Sequence, residues 1–352
     1  MRIAFLAPYT RDFFYRRCGL SDPSARGKDV WFFRHVPDRS VEVDIIGCLA
    51  SLTYKKRIPL VLLQVFSFLP LLHKYDVVIS SGFLNGVFFS TARKIMRFKK
   101  PRHLIIDTRA FSALTSDISI KVARFLLSPV DGVVCLSQAE QALWEKLLGF
   151  GGRATWAPFA IDTDFSDCAH RDDQLGEYIF AGGSSCRDWP TLISAARNVK
   201  NRFIVAAGRD SESGKYGLED LSVPPNVEIR LDVPRQEFKH LLSNALFVVV
   251  PLRHVPFAVG TEVIGQAMAC GKAVVATGIP TVMDYIRDGH TGLLVEPGDV
   301  AALQQKLSFL LHRPDEMKRI AANARAAMNT ELGEAALGKR VWELLQSIGT
   351  GT

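Results

Sequence analysis

LFVVVPLRHVPFAVGTEVIGQAMACGKAVVAT, residues 246–277, is the stretch that decides the fold. A continuous apolar run ends at Pro251, a loop follows, and a helical segment begins after Gly260. KAVVAT then supplies a second β-rich run. Uninterrupted apolar strands joined through a helix-length segment imply a parallel βαβ unit whose strands are buried on both faces.

The same alternation extends toward the N-terminus. The runs there are RIAFLA, VEVDII, DVVIS, HLIID and GVVCL, then EYIFA, RFIVAA and NVEIR. Two sets of five runs are separated by the polar stretch DTDFSDCAHRDDQLGE at 162–177, the best linker candidate. A chain of 352 residues suits two cores rather than one. The expected architecture is therefore α/β, with two Rossmann-like, doubly wound parallel-sheet domains facing across a cleft. Residues 1–165 form the first domain, 166–333 the second, and 334–352 a final helix turned back toward the first. In such domains the ligand crevice lies outside the carboxyl ends of the strands.

Six cysteines, at 18, 48, 135, 168, 186 and 270, show no CxxC pairs or His-rich neighbours. Neither a disulfide framework nor a zinc site is implied, and a reducing cytoplasm fits best. The start MRIAFLAPYT reads as a first strand rather than a secretion signal.

Charge is divided unevenly. Residues 1–165 hold 23 Lys or Arg against 14 Asp or Glu, while the remainder holds 20 against 22. Basic residues gather at Lys55, Lys56 and Arg57, and again at Arg93, Lys94, Arg97, Lys99, Lys100 and Arg102, on either side of the apolar run Ile58–Leu72. That run is 15 residues long and contains Pro59, Gln64 and Pro70. It is too short and too interrupted to span a bilayer. Two readings stand side by side: a buried helix with a solvated basic rim, or a surface resting on anionic lipid headgroups at the inner face of a membrane. Nucleic acid is not expected, since no recognised binding motif accompanies the basic face.

Chemistry concentrates after Pro251. Gly260 lets the backbone approach a ligand closely, and the N–H groups of Thr261, Glu262 and Val263 lie in the first turn of the helix, where they point at an anion such as a diphosphate. For a lone glycine the plainer reading is a loop that ends at solvent.

The wider segment is similar to the retaining glycosyltransferases of family 4, which have the two-Rossmann GT-B fold. QAMACGKAVVAT and DGHTGLLVEPGD match the family's donor-site helix, strand and later glycine turn. GGSSCRDWPTLISAA sits where the family has its Gly-Arg-Leu and Lys-Gly region, and APFAIDTDF resembles its Pro-Asn-Gly-Val-Asp segment. The resemblance implies sugar transfer from a nucleoside-diphosphate sugar, a UDP- or GDP-sugar, to the hydroxyl of a glycan or a lipid-linked acceptor. It also implies retention at the anomeric carbon. No metal or other cofactor is expected, because no Asp-x-Asp motif stands near the donor segment.

The resemblance also distributes roles. The family's paired carboxylates fall here on Ala258 and Gln266, so both are missing; Gln266 retains donor and acceptor groups for ribose hydroxyls. Glu262, one turn before Gln266, is a partial substitute or simply an acid that favours a helix N-terminus. Ser184 occupies roughly the family's Arg position and Arg187 its Lys position. Arg187 is accordingly the principal catalytic candidate, set against a surface ion pair with Asp188, and Arg253 is a second cation. Gly182 and Gly183 keep that loop open. In the first domain Asp107, closing HLIID, stands where the family often has a cleft-facing His or Asp, with Arg109 two residues on; helix capping or a loop ion pair are the alternatives. The loop 11–27 offers Gly19 and Gly27 in place of the family's Gly-Gly and is expected to cover the cleft. Two other readings remain: a nucleotide-sugar epimerase of the same fold, and a donor-binding partner subunit without catalysis.

If Gln266 holds the donor ribose, Gln266→Glu keeps its affinity for UDP or GDP in calorimetric titration. Gln266→Leu then loses about tenfold, because ribose hydroxyls go unpaired. Equal affinity for the Leu variant and the parent removes Gln266 from the ribose.

Overall fold

The computed structural model describes residues 1–7, 29, 31–48, 57–106, 109–159, 176–210 and 213–349. The chain divides into two compact units. One is Met1–Asp162 with Pro256–Ala258 and Glu334–Thr352; the other is Thr163–Val255 with Val259–Gly333.

The first unit holds six parallel strands: β1 Arg2–Leu6, β2 Glu42–Ile46, β3 Val77–Ser81, β4 Arg102–Ile106, β5 Gly132–Cys135 and β6 Ala154–Trp156. Their order is β2-β1-β3-β4-β5-β6. Both faces of the sheet are covered. Ile3 and Phe5 point to a core with Phe32, Phe33, Leu337 and Val341, whereas Ala4 and Leu6 meet Val65, Phe68 and Phe89. Right-handed crossovers explain the division. From β2 onward every connection steps across the sheet in one direction, so the helices Arg57–Phe68, Phe83–Met96, Asp117–Leu126 and Gln138–Leu148 form one layer. The helix Glu334–Gly349, which belongs to this unit, covers the other face beside the turn Trp31–His35.

Local sequence sets the helix ends. Ser116 and Ser119 form a reciprocal capping box at the start of Asp117–Leu126. Ser137 Oγ accepts from the Glu140 amide at 3.0 Å, one helix further on.

The apolar run 58–72 does not stay one element. It becomes the helix Arg57–Phe68 followed by a 3-10 turn, Leu69–Lys74, with Pro70 in its first positions. Val61, Gln64, Val65 and Phe68 are buried, while Ile58, Leu63, Phe66 and Leu71 are exposed. Gln64 is the reason that a polar residue tolerates such a place. Its Nε2 donates to Ala7 O at 3.0 Å and Ile46 O at 2.7 Å, and its Oε1 accepts from Asn85 Nδ2 and Cys48 Sγ, each at 3.2 Å. One amide thus ties the carboxyl ends of β1 and β2 to two neighbouring segments.

The basic cluster 93–102 is also divided. Arg93 is buried, with Nη1 2.5 Å from Asp131 Oδ2 and 2.6 Å from Pro129 O. Arg102 Nη1 meets the other carboxylate oxygen at 2.9 Å. These two cations close the fold inward around Asp131 and are not part of a lipid-facing rim. Lys55 and Lys56 lie outside the described residues, as does the side chain of Arg57. No helix of the described residues is long and apolar enough to cross a membrane.

The second unit holds β7 Tyr178–Gly183, β8 Arg202–Ala207, β9 Val227–Leu231, β10 Val248–Val250, β11 Val274–Thr277 and β12 Leu293–Val295. All neighbours are parallel, in the order β12-β11-β10-β7-β8-β9. The chain works outward from β7 to β9, returns to β7's other side, and works outward again. β7 and β10 therefore flank the point where the winding reverses, which is where open α/β sheets leave a crevice for ligands. Leu192, Phe203, Val249, Val275, Leu307 and Ile320 belong to one core beneath it.

Replacing Gln64 by Leu keeps the volume but removes two donors from buried carbonyls. The variant is expected to be less stable by about 1–3 kcal/mol in denaturant unfolding. A loss under about 0.5 kcal/mol would mean that other donors satisfy these carbonyls.

Candidate functional site

The candidate site is built at the carboxyl ends of β7 and β10. β7 ends in Gly182 and Gly183, and Arg187 follows in the loop. Two loops are laced together there. Asp188 N–H donates to Pro251 O at 3.1 Å and Arg253 N–H to Cys186 O at 2.9 Å, on either side of an antiparallel bridge between Arg187 and Leu252. Leu252 N–H donates in turn to Thr277 Oγ1 at 2.8 Å, at the end of β11. The ends of β7, β10 and β11 are thereby held as one backbone platform.

Arg187 is only 8 % exposed. Its Nε donates to Gly182 O at 3.0 Å and its Nη1 to Ser185 O at 2.8 Å. Gly183, with φ 120°, is the seat of the guanidinium: a Cβ there would lie 2.0 Å from Arg187 Nη2. Only glycine combines that backbone with that approach. Burial draws the Arg187 pKa down to about 10, and the charge of Glu262 acts in the opposite sense. The group remains a cation at neutral pH. Asp188 is not its surface partner; that carboxylate accepts from Thr191 N at 3.2 Å and Thr191 Oγ1 at 2.6 Å, capping the helix Trp189–Ala196.

The helix Thr261–Ala269 starts beside this platform. Gly260 caps it with φ 73°, and a Cβ at that position would lie 3.0 Å from the Leu252 methyls. The first ladder bond runs from Ile264 N–H to Gly260 O at 2.9 Å. The amides of Thr261, Glu262 and Val263 therefore stand outside the helical ladder. Glu262 and Gln266 share a face, with Gln266 Nε2 donating to Glu262 Oε1 at 3.3 Å. Gln266 is buried; Arg253 is exposed.

The remaining sequence candidates lie outside the described residues or belong to the first unit. Asp107, Gly19 and Gly27 lie outside the described residues. Arg109 belongs to the first unit, its guanidinium 5.0 Å from the centroid of the Phe257 ring. Ala258 is also in that unit, where its N–H donates to Oε1 of fully buried Glu140 at 3.0 Å.

Sequence reasoning missed Asp210 and Thr277. Asp210 is buried after β8; its Oδ2 accepts from Cys186 N at 3.1 Å and its Oδ1 from Ser213 N at 2.9 Å. It fixes Cys186, whose φ is 55°, and so aims the loop that carries Arg187. The spacing of Asp210 and Ser213 is a recognisable side-chain turn signal, but nothing in sequence ties it to Cys186. Among the described residues no cluster of His, Cys, Asp and Glu could hold a metal ion.

Residues 189–327 match the family model described as glycosyl transferases group 1. Over 105 residues the chain is 34% identical to the D-inositol 3-phosphate glycosyltransferase of Frankia alni, covering 30% of this chain and 25% of that protein. Over 159 residues it is 28% identical to the GDP-mannose-dependent monoacylated alpha-(1-6)-phosphatidylinositol monomannoside mannosyltransferase of Corynebacterium glutamicum, 44% of this chain and 41% of that one. The chain thus spans between a quarter and two fifths of the length of these curated relatives. The structure of Anabaena HepE in complex with UDP and glucose aligns with TM-score 0.69 at 19% identity, over 99% of this chain and 100% of that one. Sucrose-phosphate synthase from Thermosynechococcus elongatus aligns with TM-score 0.71 at 17% identity, over 100% of both. Residues 189–327 thus resemble the glycosyl transferases group 1 family, and the two sheets have the GT-B fold.

A methyl at Gly183 must evict the Arg187 guanidinium. Gly183→Ala is expected to cost about 1–3 kcal/mol of stability and to cost less when combined with Arg187→Ala, since the clash is then gone. A double-mutant cycle in denaturant checks this; strict additivity would separate the two residues.

Proposed function

We propose that the chain is a glycosyltransferase that moves a sugar from a UDP- or GDP-sugar to an acceptor hydroxyl, with retention and without a metal ion. The observation that supports this most is the buried Arg187. Among the described residues its fork bonds only to the carbonyls of Gly182 and Ser185, through Nε and one Nη1 donor. The remaining donors stay available at the winding reversal, beside the amides that open the helix Thr261–Ala269. Negative charge accumulates on the departing diphosphate as the glycosidic bond breaks. A desolvated cation and helix amides held in advance stabilise that charge without reorganisation. Gln266 would then serve the ribose and Glu262 the donor sugar.

The acceptor we propose is a lipid-carried glycan or a lipid, reached at the inner membrane face. The basic composition of residues 1–165 supports it, as does the phosphatidylinositol monomannoside in the name of the Corynebacterium relative. One observation favours a second reading, a donor-binding subunit without catalysis. The position of the family's first carboxylate is Ala258, whose backbone is engaged with Glu140. An epimerase of this fold is separated from both by its product.

A panel of UDP-, GDP- and ADP-sugars tests the reading. One donor is expected to be turned over by hydrolysis or transfer with no epimerised product. Arg187→Ala should reduce that turnover by about 10²–10³-fold, the usual consequence of losing one charge-stabilising group. Tight binding without turnover would establish the second reading, and unchanged turnover in the variant would take Arg187 out of the reaction.

A further inference from the structure

The helix layer over the first unit's sheet presents an apolar outer surface. On the helix Asp117–Leu126, Ile118, Val122 and Phe125 recur at one face, and they point outward: Ile118 is 75% exposed and Phe125 63%. On the neighbouring helix Phe83–Met96, Ile95 is 75% exposed and Met96 is exposed beside it. The ends of these two helices adjoin. Lys94 Nζ lies 3.4 Å from the Phe125 ring centroid and donates to Phe125 O at 2.6 Å and Ser128 Oγ at 2.9 Å. The next helix in the layer, Arg57–Phe68, adds exposed Leu63 and Phe66.

The charges around this surface are mostly positive. Arg97, Lys99, Lys100, Lys121 and Arg124 are exposed, and the only acid on 83–100 and 117–128 is Asp117. Arg93 and Arg102, which look equivalent in sequence, are spent on Asp131. A second copy of this chain would bring like charges face to face. An anionic lipid surface meets both demands, taking apolar side chains into the boundary of its acyl chains and cations at its phosphates.

We propose that this face, Ile118, Val122 and Phe125 with Ile95 and Met96, rimmed by Arg97, Lys99 and Lys100, is where the first unit rests on an anionic bilayer. The proposal deepens the lipid-acceptor reading above and rests on it for the partner's role. Docking through exposed apolar side chains and cations of this kind is peripheral and reversible.

Co-sedimentation with phosphatidylcholine vesicles, with and without phosphatidylglycerol, tests it at low and high salt. The parent is expected on anionic vesicles at low salt and to leave them at high salt. Lys99→Gln with Lys100→Gln should weaken binding by about tenfold or more. Ile118→Ser, Val122→Ser and Phe125→Ser together should do the same, with melting curves confirming that the variants fold. Met283→Ser, at an exposed apolar residue of the second unit, should bind as the parent does. Failure of the parent to bind anionic vesicles, or parent-like binding by the triple serine variant, overturns the proposal. So does self-association that the serine variant abolishes while vesicles are ignored, which would make the face an interface between copies. Donor hydrolysis measured without lipid on the same samples reports on the donor site separately. If hydrolysis persists while vesicle binding fails, docking falls and the donor reading stands. If vesicles bind but no lipid receives sugar, the acceptor reading falls and the docking face stands.

Discussion

The second unit depends on keeping one guanidinium charged while it is nearly out of water. Isolated burial of Arg187 would cost several kcal/mol. The fold offsets this with one carbonyl at the end of β7 and one in the loop after it, the backbone of a residue without a side chain, and the carboxylate of Glu262. Each of those supports has its own anchor. Asp210 holds Cys186, the 186–188 segment is laced to 251–253, and Leu252 is held by Thr277. The order of the sheet makes this possible, because only a reversal between β7 and β10 brings two carboxyl-terminal loops side by side with no helix between them.

In the first unit a carboxylate plays the corresponding part. Asp131 stands just before β5 and gathers Arg93 from a helix and Arg102 from β4, and it accepts from the His103 amide at 2.8 Å. His103 itself is fully buried, 2.9 Å from Ser80 Oγ, and burial holds its pKa well below the usual histidine range. With charge drawn inward at this end of the sheet, the cations left outside are those that follow the helix, Arg97, Lys99 and Lys100. The division between inward and outward arginines gives the outer face its composition.

Much of this was legible beforehand. Ten of the strands coincide with β-rich runs, and eight of these are central strands, which in a parallel sheet are buried on both faces and apolar throughout. The helix after Gly260 and the glycines that end β7 were also visible, since close backbone approach leaves glycine as its trace. Two of the four edge strands, Ala154–Trp156 and Leu293–Val295, were not. Three residues carry no periodicity, and an edge strand exists only because its neighbour offers a row of unpaired backbone groups.

Residue types and their spacing along the chain settled the α/β class, two cores, and a glycine-bounded cation near a helix start. Tertiary structure alone decided what those residues face. A stripe such as Ile118, Val122 and Phe125 has the spacing of a core-facing helix, and Gln64 has the character of a surface residue; their places are the reverse. Periodicity specifies that one side of a helix is apolar, but which side meets the sheet is set by the competing face and by the neighbours on either hand. The buried amide is retained because the ends of two strands needed a donor, a demand that arises only once those strands lie side by side.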